Sequence, residues 1–134
     1  MAGQHGGVRP VLVVEDEESI LFLVTYILER DGFRVIAARD FQDAQARIET
    51  MDAPSLVVLD LILPSGDGLD LLPTMRSKPG WETVPILALT TLTRKRDISR
   101  GLSRGLDAYL TKPFKVDELR ARVRRLVGGA PASG

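Results

Sequence analysis

Leu56-Val57-Val58-Leu59-Asp60-Leu61-Ile62-Leu63, closed by Pro64 and Gly66, is the stretch whose reading decides the fold. The run is short, rich in Val and Leu, and shows no alternation of apolar with polar residues. That pattern predicts a strand buried on both faces, as in a parallel sheet covered by helices. Asp60 is the exception within it. An ionised carboxylate among such neighbours is costly unless something pairs with it, coordinates it, or lets it meet solvent at the strand's end. A salt-bridged or helix-capping aspartate and a functional one both fit at this point.

Working outward, Val11 to Val14 is a β-branched run followed by Glu15-Asp16-Glu17-Glu18, after which Ile20, Leu23, Val24, Ile27 and Leu28 recur at helical spacing. Acidic residues favour the start of that helix and Gly32 suits its end. Phe33 to Ala37 reads as a second strand, and Asp40 can cap a helix with Phe41, Ala44, Ile48 and Met51 on its apolar stripe. After the Asp60 strand and a Pro-Ser-Gly-Asp-Gly loop, a helical stretch runs from Leu69 to Arg76, where Pro73 should kink or shorten it. Val84 to Thr90 is a fourth strand, with Pro85 tolerated near its beginning. A helix from about Arg94 to Arg104 ends at Gly105, a short fifth strand covers Asp107 to Leu110, and a last helix covers Val116 to Val127. Five strand and helix units in alternation predict a doubly wound, five-stranded parallel α/β sheet with helices on both faces.

Size and composition bound what such a sheet can do. The 134 residues suit one domain, with 44% hydrophobic and 27% charged residues. Residues 1–8 and 128–134, rich in Gly and small residues, read as flexible ends around a domain spanning 9–127. There is no cysteine, so thiolate chemistry and disulfides are excluded. The first residues lack the pattern of a signal peptide, and no apolar stretch is long enough to span a bilayer, so a cytoplasmic location is expected. Formal net charge is zero, yet residues 1–67 hold 5 Lys/Arg against 12 Asp/Glu and residues 68–134 hold 13 against 6. An acidic half folded against a basic one suits a site where carboxylates hold a cation and a lysine meets an anion.

Ligands of doubly wound sheets bind at the carboxyl ends of the strands. Glu15 and Asp16 follow the first strand, Asp60 ends the third, Thr90 ends the fourth, and Lys112 follows the fifth. Three carboxylates from neighbouring strand ends form a hard-oxygen site suited to Mg²⁺. A lysine and a hydroxyl beside them supply what an incoming phosphoryl group needs, because positioning and charge neutralisation do most of the work of phosphoryl transfer. Without Cys or a catalytic triad, a carboxylate is the one plausible nucleophile.

Val11 to Glu17, Leu59 to Pro64 with Asp67-Gly68, Thr90, and Tyr109-Leu110-Thr111-Lys112-Pro113-Phe114 together resemble the receiver domain of two-component response regulators. The resemblance runs from about Arg9 to Val127, and it is the ordered set of motifs that makes it specific. It implies the flavodoxin-like strand order 2-1-3-4-5. It also implies that Asp60 is the phosphoacceptor, that Asp16, Asp60 and the backbone carbonyl of Ile62 ligate Mg²⁺ directly, and that Glu15 does so through water. Lys112 would pair with phosphoryl oxygens and precede a cis bond to Pro113. Thr90 and Tyr109 would form the switch, in which a new charge biases a two-state packing element.

Departures from the family pattern carry expectations of their own. Glu15 replaces a common Asp. Ile62 and Leu92 are apolar at the positions two beyond the acceptor and two beyond the threonine, where polar groups align hydrolytic water in the family, so a long-lived phosphoryl group is expected. Thr91 stands where a smaller residue is usual. On the first helix, Phe22 and Tyr26 lie opposite the core stripe and, with Ile20 and Leu23, mark a docking surface for a sensor histidine kinase or histidine phosphotransfer protein.

The last two helices are basic, but no aromatic interleaving or recognition helix accompanies them, so an acidic protein partner is expected rather than direct nucleic-acid binding. The stretch through Phe114, Glu118, Leu119 and Arg122 is similar to receivers that dimerise through the fourth helix, fifth strand and fifth helix. Ala108 replaces an acidic residue of that interface, so a monomer or weak dimer is expected. The reading is a stand-alone signalling switch rather than an enzyme, whose output is binding a downstream protein target. The alternative is a receiver fold that binds proteins without phosphorylation.

Overall fold

The computed structural model describes residues 9–91 and 95–128, so the expectations for residues 1–8 and 129–134 and for Leu92 lie outside the described residues. Five parallel strands form the sheet: β1 (Val11–Val14), β2 (Val35–Ala38), β3 (Leu56–Asp60), β4 (Ile86–Thr90) and β5 (Ala108–Thr111). Their order is β2-β1-β3-β4-β5, the expected one. The helices between them are α1 (Glu18–Arg30), α2 (Phe41–Thr50), α3 (Leu72–Ser77), α4 (Lys95–Ser103) and α5 (Val116–Gly128).

The unbroken apolar run of β3 is explained by two cores. Val57 and Leu59 face one with Leu12, Val14, Ile48, Leu72, Met75, Trp81 and Ile86, beneath α2 and α3. Leu56 and Val58 face the other with Val11, Val13, Val24, Leu28, Leu119 and Val123, beneath α1 and α5. Each fully buried side chain of this kind contributes about 1.5–3 kcal/mol relative to exposure, before the entropy of ordering is counted. A central strand with two such faces has no room for polar residues except at its end, where Asp60 stands.

Several boundaries differ from the sequence expectation. The stretch after Gly66 is split: residues Gly68–Leu71 form a 3₁₀ turn, and α3 begins only at Leu72, with Pro73 in its first turn. Pro73 in that first turn goes with a shortened helix, one of the two expected outcomes, and not with a kink, since a first-turn residue needs no N–H. Phe33 lies outside β2, in the turn that closes α1, where its N–H donates to the Leu28 carbonyl at 3.0 Å and Gly32 takes φ +96°. Leu21, not Ile20, is buried on α1. Gly128 closes α5 rather than opening the tail.

Candidate functional site

The parallel register aligns the carboxyl ends of the strands. Val14 pairs with Leu59, Asp60 with Leu89, and Thr90 with Thr111, so the residues that follow emerge along one edge. Beyond β1 the chain turns, and Glu15 folds back into the protein as the Glu17 N–H donates to its Oε2 at 3.1 Å. Glu15 is thus buried, and of the acidic run only Glu18 lies in the first turn of α1. Asp60 is also buried, with Oδ1 accepting the Ile62 N–H at 2.9 Å.

Carboxylate oxygens of Glu15, Asp16 and Asp60 lie within 4.8 Å of one another, with Asp16 exposed to solvent. Lys112 reaches this cluster from the end of β5. Its Nζ lies 2.8 Å from Glu15 Oε1 and 3.3 Å from Asp60 Oδ2, and its N–H donates to the Thr90 carbonyl at 2.8 Å. The Lys112-Pro113 peptide is cis. One ammonium between two buried carboxylates leaves the cluster short of positive charge, and the Glu15 carboxyl registers it. Burial raises its pKa most, Lys112 opposes this and Asp60 adds to it, leaving the group at about 7 against an ordinary 4.5. Burial pulls Lys112 down, but the two carboxylates outweigh it and hold the ammonium above its usual value.

This donor set fits a hard divalent cation. All ligands are oxygens, they carry up to three negative charges, and one faces water. A hairpin completes the rim: Ile62–Leu63 pairs with Gly66–Asp67, the Gly68 N–H donates to the Leu61 carbonyl at 2.8 Å, and Ile62 is exposed at the mouth. Gly68 is packed so closely that a Cβ would lie 2.4 Å from the Asp60 carbonyl oxygen. The sequence marks Gly66 and Gly68 as a turn; the approach of Gly68 to the Asp60 backbone is visible only in three dimensions.

Thr90 is fully buried at the end of β4, and Tyr109 is half-buried on β5, packed against the core beneath α2 and α3. The Tyr109 carbonyl accepts from Arg122 Nη1 at 2.7 Å. On α1, Phe22 is 74% and Tyr26 51% exposed, their rings stacked 6.5 Å apart, while Ile20 and Leu23 are half-buried and also serve the core. The basic helices are less free than their sequence suggests. Arg100 and Arg104 pair with Asp67 and Asp70, Arg120 pairs with Asp31, and Arg122 is held by β5. Arg76 is a residue that sequence reasoning missed: its guanidinium binds the carbonyls of Val84 and Gly105 at 2.7 and 2.8 Å and Asp107 Oδ2 at 3.0 Å.

Fold and site together define a doubly wound α/β domain with an acidic, lysine-bearing cleft at the carboxyl edge of its sheet. The profile of the response regulator receiver domain matches residues 11–124, and the chain belongs to that family. It is 42% identical over 119 residues to the alkaline phosphatase synthesis transcriptional regulatory protein PhoP of Bacillus subtilis, covering 89% of this chain and 48% of that protein. It is 35% identical over 119 residues to the phosphate regulon transcriptional regulatory protein PhoB of Escherichia coli, covering 89% and 52%. The chain thus spans about half the length of the curated relatives it matches.

Among solved structures, it resembles the signal receiver domain of a histidine kinase from Syntrophus aciditrophicus, with TM-score 0.80, 31% identity, and 95% and 96% of the two chains covered. It also resembles the receiver domain of a sensor histidine kinase from Pseudomonas aeruginosa, solved with a magnesium ion in its active site cleft, with TM-score 0.80, 30% identity, and 91% and 99% coverage. No helix among the described residues is long and apolar enough to cross a membrane.

Proposed function

We propose that this receiver domain accepts a phosphoryl group on Asp60 from the phosphohistidine of a sensor kinase or phosphotransfer protein, and that the resulting charge changes its binding to a downstream protein. The observation that supports this most is the convergence of Glu15, Asp16 and Asp60 within 4.8 Å, with Lys112 against two of them. An Asp60 oxygen attacks phosphorus, the phosphorus–nitrogen bond breaks, and the imidazole leaves with the electron pair and takes a proton. An acyl phosphate on Asp60 results. Mg²⁺ held by Asp16, Asp60 and the Ile62 carbonyl, with Glu15 through water, would neutralise charge on the transferring group.

The protein's own residues do the rest. Burial keeps Asp60 poorly hydrated and held by the Ile62 N–H, and Lys112 stands ready to leave its carboxylate partners for phosphoryl oxygens. Thr90, whose carbonyl accepts the Lys112 backbone N–H, would donate its hydroxyl to the phosphoryl group, and Tyr109 would follow it inward. The exposed Phe22 and Tyr26 rings, flanked by Ile20 and Leu23, would receive the kinase.

Incubation with acetyl phosphate and Mg²⁺, followed by intact mass, tests the central step beside Asp60→Ala. The wild type should gain one phosphoryl group and the variant none. No gain in the wild type would refute the reading in favour of a phosphorylation-independent binding module, and an equal gain in the variant would refute Asp60 as the acceptor.

A further inference from the structure

The hairpin at the mouth of the cleft leans on a segment that supplies nothing to the acidic cluster, the start of α2. Leu63 and Gly66 pair across the Pro64-Ser65 turn of that hairpin. At the turn, Ser65 Oγ donates to Gln42 Oε1 at 2.8 Å. A Cβ at Gly66 would lie 2.7 Å from Phe41 Cδ2 and 3.0 Å from Cγ, so the hairpin backbone lies against that ring with no room for a side chain between them. The ring is half-buried and packs in turn on the core beneath α2 and α3, where the Leu63 side chain is also buried. The hairpin is therefore gripped at its turn as well as at its base, where the Gly68 N–H meets the Leu61 carbonyl.

The start of α2 is firmly set. Asp40 Oδ1 accepts the Asp43 N–H at 2.7 Å, and Asp43 Oδ2 accepts the Arg39 N–H at 3.2 Å, two opposed bonds that fix where the helix begins. Just before them, the Ala38 carbonyl accepts the Glu15 N–H at 3.0 Å. The short segment from Ala38 to Phe41 thus reaches both halves of the cleft: the backbone of Glu15 through a hydrogen bond, and the hairpin carrying Ile62 through the ring. A capped helix end bonded to one half is a rigid support for the other.

We propose that Phe41 is a positioning residue of the cation site: its ring, seated by the cap of α2, holds the hairpin so that the Ile62 carbonyl keeps its place beside Asp16 and Asp60. The inference rests on the reading of the cleft as a Mg²⁺ site. Mg²⁺ demands near-ideal octahedral geometry, so a carbonyl that drifts with a loosened hairpin is a poor ligand. Groups that orient ligands therefore govern affinity nearly as strongly as the ligands do. An aromatic ring suits this task, because its flat, stiff face packs on a glycine backbone that no side chain shields.

Titration of the full chain with Mg²⁺, followed by the backbone amide shifts of residues 60–68 in nuclear magnetic resonance spectra, tests this without any phosphoryl donor. Phe41→Leu keeps the core filled but withdraws the ring from Gly66. It should raise the Mg²⁺ dissociation constant by about three- to tenfold, at and below the range that loss of an outer partner costs a metal site. Phe41→Tyr keeps the ring and should bind like wild type. Ile48→Val trims the same core about two turns further along α2. It should lower the urea midpoint yet leave the dissociation constant within about twofold of wild type. Wild-type affinity in Phe41→Leu, equal weakening in Phe41→Tyr, or equal weakening in Ile48→Val overturns the positioning role. The two readings fail separately: a wild type whose amides ignore Mg²⁺ removes the cation site and the brace with it, whereas a responsive wild type with an unaffected Phe41→Leu removes the brace alone.

Discussion

Replacing Gly68 by alanine perturbs the contact on which the end of β3 rests. The added Cβ would lie 2.4 Å from the Asp60 carbonyl oxygen and 2.9 Å from the Leu61 Cα. Non-bonded heavy atoms settle at about 3.5–4.0 Å, so the Asp60–Leu61 backbone or the hairpin must move by about 1 Å. Both obstacles are main-chain atoms and cannot rotate away. Overpacking of this kind costs about 1–3 kcal/mol, and a reacting group misplaced by about 1 Å loses about 10²-fold in rate.

Gly101→Ala is the matched control. Its Cβ would meet Leu106 Cδ1 at 2.5 Å, but that atom is the far end of a side chain that can swing aside. A helix-interior Gly→Ala change also gains about 1 kcal/mol in propensity. Urea unfolding and the initial rate of phosphoryl labelling by acetyl phosphate together check the argument. Gly68→Ala should lose stability in the stated range and about 10²-fold in labelling rate, and Gly101→Ala should stay within about 1 kcal/mol of wild type. Equal effects of the two changes, or wild-type labelling by Gly68→Ala, would refute it.

Three further outcomes are expected. In metal-free protein, Glu15 has a pKa of about 7 when folded against 4.5 ordinarily, through burial opposed by Lys112 and reinforced by Asp60. The folded state therefore binds more protons between those values, and stability falls as pH rises through about 7. Unfolding midpoints in EDTA at pH 5 and pH 8 should show this loss in wild type and less of it in Glu15→Gln; parallel pH slopes would contradict it. Ile62 exposes only hydrocarbon at the mouth of the cleft, so the phosphoryl group on Asp60 should be long-lived, which rapid self-dephosphorylation of the purified phosphoprotein would disprove. Phe22→Ala should slow transfer from the cognate kinase and leave acetyl phosphate labelling unchanged, and the docking role fails if both slow equally.

The strands and their convergence were legible because their signals are local. An unbroken apolar run such as Leu56 to Leu59 has few ways to be buried, and alternation with helical periods leaves little choice but a parallel sheet. Residues at the ends of such strands must gather at one edge, which is how Glu15, Asp16, Asp60, Thr90 and Lys112 could be named together. Boundaries were less legible where a side chain or a carbonyl from far along the chain competes for a backbone group. The start of β4 is one case: Ile86 N–H finds Asp107 Oδ2, 21 residues later. Pro73 is another, acceptable because α3 begins only at Leu72, after the 3₁₀ turn that Asp67 caps, so that Pro73 falls in the first turn.

Sequence alone determined the sheet, its covering helices and the identity of the groups at its edge, because hydrophobic period and strand polarity act over a few residues at a time. Only the tertiary structure decided how those groups share charge. Burial sets the proton affinity of Glu15, and the return of β5 places Lys112 between two carboxylates 52 and 97 residues before it. The same holds for Gly68 against Asp60 and for Arg100 and Arg104 against Asp67 and Asp70. These depend on distances between segments remote in sequence, and packing is what sets such distances.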